Sequence, residues 1–369
     1  MTGPVVAIVG GGIAGCAAGL RLRAARASVT VFDAGRGGAA TAASAGMVAP
    51  LYEAYGPEPR LELGLVARRG YEDWVRAIEA SSGVPLGYHE QGLLVANLSS
   101  DEERRAEKAV EWIGSIGGRA EVLRGPEALA IEPTLGEARS WLWLPGEARL
   151  DTQALPRAMH GALRAAGAVF EAGESAAVAA VEVEAGRAAG VVTTAGRRLR
   201  ADAVVVAAGA WSGSLEGLPR TLPVRPVRGQ ILRLSAGGHA PRLLLGDHAG
   251  CYVVPRDDAS VLVGSTMEEA GFDNVVTDEG RSRIRDATSA LIPGIETSTE
   301  LDSWSGFRPL TPDGLPVLGP DPDVAGLFYA TGFGRGGILI APAAGEVLEA
   351  LIMGRTPAID IDAFRPDRF

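Results

Sequence analysis

The chain has 369 residues, a formal net charge of −10 and 47% apolar residues. That length supports a large core and two closely associated domains. The acidic balance, with no Lys/Arg-rich run, argues against a nucleic-acid partner, and no apolar stretch reaches the ~18–20 residues of a membrane span.

Val5–Val9 reads as a short buried parallel strand. It has no basic flank and breaks at Gly10, so it is a strand and not a signal peptide. Gly10, Gly12 and Gly15 then form G-x-G-x-x-G, a helix is predicted from Ile13 to Ala27, and Val29–Phe32 is a second strand ending on Asp33. Each part has a physical use in holding a dinucleotide. Gly10 turns the chain out of the strand, Gly12 lets a pyrophosphate approach the backbone, and Gly15 lets the helix pack on the sheet. The helix start offers N–H groups and a positive dipole end. Asp33 can accept hydrogen bonds from an adenosine ribose.

Ala34–Pro50 is a small-residue loop placed to carry a flat ligand, with Thr41 and Ser44 as hydrogen-bonding groups. A helix is predicted over Arg60–Ser81, a strand pair around Gly92 within Tyr88–Asn97, and a solvated helix over Asp101–Ile116. Gly125–Ile131 is a short helix and Trp141–Pro145 a strand. Leu150–Gly167 reads as an amphipathic helix capped by Asp151 or Thr152. Val169–Phe170, Ala176–Val183 and Gly190–Thr194 are apolar runs that return the chain to the first domain. Ala203–Gly209 is a further buried strand ending in glycine, with Trp211 just beyond.

From Pro223 to Gly264 the pattern turns β-rich: Gln230–Leu234, Cys251–Val254 and Val261–Gly264, with Asp257-Asp258 as a turn. This predicts a separate antiparallel sheet. Asp278–Leu291 is a helix and Leu327–Thr331 a strand. Gly332–Leu339 is a second glycine turn opening a helix through Ile340–Met353. The fold class is α/β: a Rossmann-like domain with a parallel sheet, over 1–50, 150–215 and 305–369, interleaved with a largely antiparallel substrate domain over 51–149 and 216–304. Cys16 and Cys251 share no paired spacing, and His89, His160, His239 and His248 are scattered, so neither a disulfide framework nor a metal site is expected and a cytoplasmic setting fits.

The stretches VAIVGGGIAG, SAGM (Ser44–Met47), VVVAAGAWSG (Val204–Gly213), CYVVPR (Cys251–Arg256), VGSTM (Val263–Met267), WSGFRPLTPDGLPVLG and GFGRGGILIAP carry a resemblance that runs nearly end to end. The chain resembles the FAD-dependent amine oxidoreductases of the D-amino-acid oxidase class, and within it the glycine oxidases that serve thiamine synthesis. Glycine oxidases carry an arginine where Arg335 stands, whereas many relatives have histidine there.

That resemblance implies non-covalent FAD and a site. Arg308 matches the arginine that pairs a substrate carboxylate, Arg335 a second substrate-side arginine, Tyr252 a carboxylate-holding tyrosine and Met267 a pocket methionine. For FAD it implies Ile13, Ala14, Asp33, Ala34, Thr41, Ala45, Gly46, Met47 and Val178. The glycine turns add Gly209, Trp211, Gly334, Arg335, Gly336, Gly337 and Ile338. No side chain is assigned as an acid or base, since the flavin does the chemistry. The expected partners are a small amino acid or amine, molecular oxygen and further copies of the chain in a homotetramer. A D-amino-acid dehydrogenase feeding a quinone, a sarcosine oxidase-like enzyme and a non-catalytic flavin module stay open as alternatives. Two departures stand out. Asp33 replaces the usual glutamate, and Gly250 replaces a histidine, which predicts a roomier pocket.

Overall fold

The computed structural model describes residues 3–52 and 58–369. Its organising layer is a six-stranded sheet ordered Val317–Pro320, Leu327–Thr331, Ala203–Val206, Val5–Val9, Ser28–Asp33, Val169–Ala172. All neighbours are parallel except Val317–Pro320, which runs antiparallel at the edge. The central strands carry almost unbroken Val, Ile and Ala because both faces are covered. Helices Ile13–Ala24, Leu155–Ala165 and Gly337–Ile352 cover one face. The first and last approach closely: a Cβ on Gly345 would lie 2.9 Å from the Ala17 backbone. The other face packs on a three-stranded antiparallel sheet, Val178–Glu184, Arg187–Thr193 and Arg198–Arg200. So the apolar runs after Val169–Ala172 form a separate covering layer, while Val169–Ala172 itself joins the main sheet at its edge.

The second layer is an eight-stranded sheet, ordered Glu300–Leu310, Arg225–Ser235, Ser260–Gly264, Tyr252–Pro255, Leu244–Asp247, Leu93–Asn97, Ser140–Leu144, Glu121–Leu123. It is antiparallel apart from the pairing of Leu93–Asn97 with Leu244–Asp247. Helix Asp278–Leu291 packs on one side and Ser100–Ser115 on the other. The latter opens with a capping box between Ser99 and Glu102.

Three local expectations differ. The predicted helix Arg60–Ser81 is two helices, Pro59–Arg69 and Tyr71–Ser82, broken at Gly70. Both pack into the core of the six-stranded sheet, where Tyr71 is buried and donates to the Ile338 carbonyl at 2.8 Å. The strand pair around Gly92 does not pair with itself. His89–Glu90 pairs with Ala148–Arg149, and Leu93–Asn97 pairs with Ser140–Leu144. Gly92 has φ +79° and lies under the Trp143 ring, which leaves no room for a hairpin side chain. The helix expected from Leu150 begins at Leu155, because the Asp151 carboxylate accepts from the Gln153 N–H at 2.9 Å and closes a turn first.

Candidate active site

Three parallel strands, Val5–Val9, Ala203–Val206 and Leu327–Thr331, end side by side, and each runs into a glycine turn. A long cleft opens beyond their carboxyl ends, as expected for a doubly wound sheet. Gly10 has φ +111°, and a Cβ there would strike the Ala207 carbonyl oxygen at 2.3 Å. Gly12 faces the open cleft, where an added Cβ would meet only Thr41 Oγ1, at 3.3 Å. Gly15 lies behind the cleft, under the Gly10 carbonyl, and serves helix packing and not ligand contact.

Asp33 is fixed before any ligand arrives. Its Oδ2 accepts from the Gly11 N–H and its Oδ1 from the Gly35 N–H, both at 2.7 Å. The remaining lone pairs are available to a diol. Thr41 Oγ1 accepts from the Ile13 N–H at 3.0 Å, so its hydroxyl is left to donate. Ser44 donates to the Thr41 carbonyl at 2.9 Å and can offer the cleft only an acceptor. His160, from helix Leu155–Ala165, donates from Nε2 to the Gly11 carbonyl at 2.9 Å and packs on Phe170. It braces the glycine turn from behind.

The wall formed by Ala45, Gly46 and Met47 is held by a half-buried cation. Arg256 donates to the Leu150 carbonyl at 3.0 Å and to the Ala45 carbonyl at 2.9 Å. Burial pulls its pKa down to about 10, which still leaves it charged at neutral pH. Gly209, Trp211 and Val178 line the same cleft, as do Ile13, Ala14 and Ala34. Across from them, Gly334, Arg335, Gly336, Gly337 and Ile338 bring in the start of helix Gly337–Ile352. Neither this helix nor Ile13–Ala24 has an acidic residue in its first turn or a cap from its N-cap side chain. Two positive dipole ends therefore face one cleft.

The eight-stranded sheet forms the remaining wall, and glycines let long side chains lie flat on it. Arg308 crosses Gly229, where a Cβ would sit 2.0 Å from Nη1. Its guanidinium donates to the Thr266 carbonyl at 3.0 Å and to Ser265 Oγ at 2.5 Å. The Tyr252 ring crosses Gly264, whose added Cβ would be 2.9 Å from the hydroxyl. Tyr52 crosses Gly246, and its hydroxyl lies 3.0 Å from the Asp247 carbonyl and 3.1 Å from that of Cys251. Arg335 reaches over Gly250, where a Cβ would be 2.7 Å from Nη1. The space that glycine was expected to leave open is thus taken by the arginine.

Met267, like Gly15, stands apart from the other expected residues. It is 46% exposed and lies outside the cleft lining. The preceding Thr266 turns inward so that its Oγ1 accepts from the Gln230 N–H at 3.0 Å, which sends the next side chain outward. Cys251 is also away from the cleft. It is buried beside Thr288, and burial pushes its thiol up to about 12, which suits a non-covalent cofactor.

Sequence reasoning missed Tyr52, His160 and Arg256 as shapers of the site. Only Arg256 had a signal, as the end of the CYVVPR stretch. A pre-oriented carboxylate, two helix starts with no acidic residue in the first turn and an open glycine edge together fit FAD. Ile13, Asp33, Thr41, Ala45 and Ile338 would be among the residues that hold it.

Comparison with known proteins agrees. The model of the family described as FAD dependent oxidoreductase matches residues 6–351. The glycine oxidase of Geobacillus kaustophilus is 32% identical over 97% of this chain and 95% of its own length. A crystal structure of glycine oxidase from that organism superposes with a TM-score of 0.92 at 30% identity, covering 100% of both chains. A bifunctional protein ThiO/ThiG of Synechocystis is 34% identical over 99% of this chain, which spans 54% of that longer protein. The crystal structure of iminodiacetate oxidase from Chelativorans has a TM-score of 0.89 at 30% identity, with 98% of each chain covered.

Proposed function

The chain belongs to the FAD dependent oxidoreductase family, and on that premise we propose that it oxidatively deaminates glycine and closely related small amines. FAD is its cofactor and it is an amino-acid oxidase. The observation that carries the substrate reading is Arg308, laid over Gly229 beside Tyr252 in the cleft that the glycine turns open into. A planar guanidinium suits a carboxylate, and its position is fixed in advance by Thr266 and Ser265. Arg308 and Tyr252 would hold the amino-acid carboxylate, and Arg335 would add positive charge at the mouth.

Orientation is the protein's main contribution. A carboxylate held at one end points the Cα–H in a fixed direction, which removes the search for a reactive pose. The amine must enter neutral, so that its lone pair can assist loss of the Cα–H. When bound, FAD supplies the two-electron acceptor, by hydride transfer to N5. Overall, glycine, oxygen and water give glyoxylate, ammonia and hydrogen peroxide. No side chain is assigned as a base.

A second substrate reading is an N-substituted glycine such as sarcosine or iminodiacetate. The likeness to iminodiacetate oxidase favours it, and the same Arg308 would serve. D-alanine falls in the same size class. We also propose that the enzyme feeds thiamine synthesis, which the match to the ThiO/ThiG protein supports, and that it works as a cytoplasmic homotetramer, which rests on the family resemblance alone. No helix among the described residues is long and apolar enough to cross a membrane.

Anaerobic mixing with glycine, sarcosine, iminodiacetate and D-alanine tests the proposal by bleaching of the visible flavin band. Glycine or sarcosine should bleach it, and Arg308→Ala should lower the second-order rate by roughly a hundredfold, the loss of two charged hydrogen bonds. Slow reoxidation in air would move the acceptor from oxygen to a quinone. A yellow protein bleached by none of these substrates would sink the reading.

A further inference from the structure

Between strand Ser260–Gly264 and helix Asp278–Leu291 the chain crosses back over the cleft wall. This crossing is pinned unusually well for a connecting loop. Arg228 and Glu268 exchange both backbone hydrogen bonds, at 2.9 and 3.0 Å. The Arg228 side chain, nearly buried, also holds the Glu268 carboxylate and reaches the Asp273 carbonyl at 3.1 Å and its carboxylate at 3.0 Å. Gln230, fully buried, donates to Glu268 at 2.8 Å and accepts from the Thr277 N–H at 2.8 Å. Ser305 donates to the Asn274 carbonyl.

What this hydrogen-bonded loop presents is Phe272. Its ring stacks on Trp211, with centroids 5.3 Å apart and planes within 14°. Phe307 meets both rings edge-on, at 6.0 and 5.4 Å. The Arg36 guanidinium lies 5.5 Å from the centre of the indole. Trp211, Arg36 and Phe307 line the cleft on the side that carries Asp33 and Ala34, the nucleotide side. Phe307 also fills the space beside Gly38, and its N–H donates to the Gly38 carbonyl at 2.8 Å. Phe272 is not itself a lining residue and is 48% exposed. The ring is therefore held against two cleft-lining aromatics by a loop with several polar ties.

We propose that the Glu268–Thr277 loop is a clasp that retains FAD, with Phe272 as its positioning residue. It acts through Trp211 and Phe307, fixing the indole and the Gly35–Ala40 backbone on which the nucleotide half of the cofactor would rest. Release of the cofactor then requires Phe272 to leave Trp211. The aromatic pair should slow that step by roughly three- to tenfold. The clasp joins the substrate-side sheet to the cofactor loop, so cofactor retention is tied to the integrity of both layers.

The test measures FAD dissociation directly. Holoenzyme is diluted, and recovery of free-flavin fluorescence is followed in Phe272→Ala, Phe272→Tyr and the parent chain. Phe272→Ala should release FAD roughly three- to tenfold faster, Phe272→Tyr should restore the parent rate, and the apoprotein Tm should not move. Glu268→Gln, which weakens the tie to Arg228, should also speed release. A Phe272→Ala rate within about 1.5-fold of the parent, well under the expected aromatic contribution, would overturn the proposal. So would faster release accompanied by an equal fall in apoprotein Tm, because that would make Phe272 a general packing residue.

Discussion

Glu147 gives a prediction with a definite sign. The residue is 1% exposed, at the turn between strands Ser140–Leu144 and Ala148–Arg149. Its Oε1 accepts from the Leu51 N–H at 2.9 Å, and its Oε2 has no partner among the described residues. Burial outweighs that hydrogen bond and the nearby Arg68, and pushes the carboxyl up to about 8. Glu90, also close, adds to the rise. In the unfolded chain the same group titrates near about 4.3. Between those two values the folded chain keeps a proton that the unfolded chain gives up. Stability therefore falls as pH rises through this window, and the loss levels off once the folded carboxyl ionises. At about 1.36 kcal/mol per pH unit, moving from about pH 6 to about pH 8 costs at most about 2.7 kcal/mol. Glu147→Gln keeps the acceptor for Leu51 and cannot ionise, so it escapes this cost. Melting curves of the two holoproteins across that range are the assay. The Tm advantage of Glu147→Gln should widen by roughly 3–5 °C from the lower pH to the higher. Parallel Tm–pH curves would refute the reasoning, because they would mean that the carboxyl is ionised throughout.

Gly229→Ala places a Cβ 2.0 Å from Arg308 Nη1, so the guanidinium must move. KM for glycine should rise roughly ten- to a hundredfold with FAD content unchanged, and an unchanged KM would remove Arg308 from the substrate site. Arg256→Ala frees the carbonyls of Ala45 and Leu150. FAD affinity should drop roughly tenfold or more in titrations of the apoprotein, and unaltered affinity would show that the Ala45–Met47 wall does not need this clamp.

The sequence was most legible where local chemistry and the global fold agree. The run from Val5 to Asp33 combines a buried strand, obligatory glycines and a terminal acid, and the structure places these parts as that pattern requires. Gly125–Ile131, Asp278–Leu291 and Leu327–Thr331 were equally plain, since caps or flanking breakers mark their ends. Long-range events were not legible. Helices Pro59–Arg69 and Tyr71–Ser82 show amphipathic spacing, but nothing in that spacing says which sheet they cover. His160 looks like an isolated histidine until helix Leu155–Ala165 docks it under the Gly11 carbonyl. Met267 was assigned by its match to a pocket position, and the inward turn of Thr266 reverses its direction.

Gly250 shows how a small residue misleads when read alone. Losing a histidine side chain suggests extra volume, and a roomier pocket follows if nothing else moves. Protein interiors rarely leave such volume empty, because unfilled space forfeits contact energy. Here the backbone at Gly250 adopts φ +94°, and Arg335 lies where a Cβ would begin. The glycine therefore does more than enlarge the site. It makes room for the Arg335 guanidinium, on the same cleft as Arg308. If Arg308 and Arg335 both face the bound substrate, as proposed above, two cations there would favour a substrate that carries a full carboxylate over a plain amine of the same size. On the proposed reading, the residue that predicts a roomier pocket instead makes space for a charge that would help select the substrate.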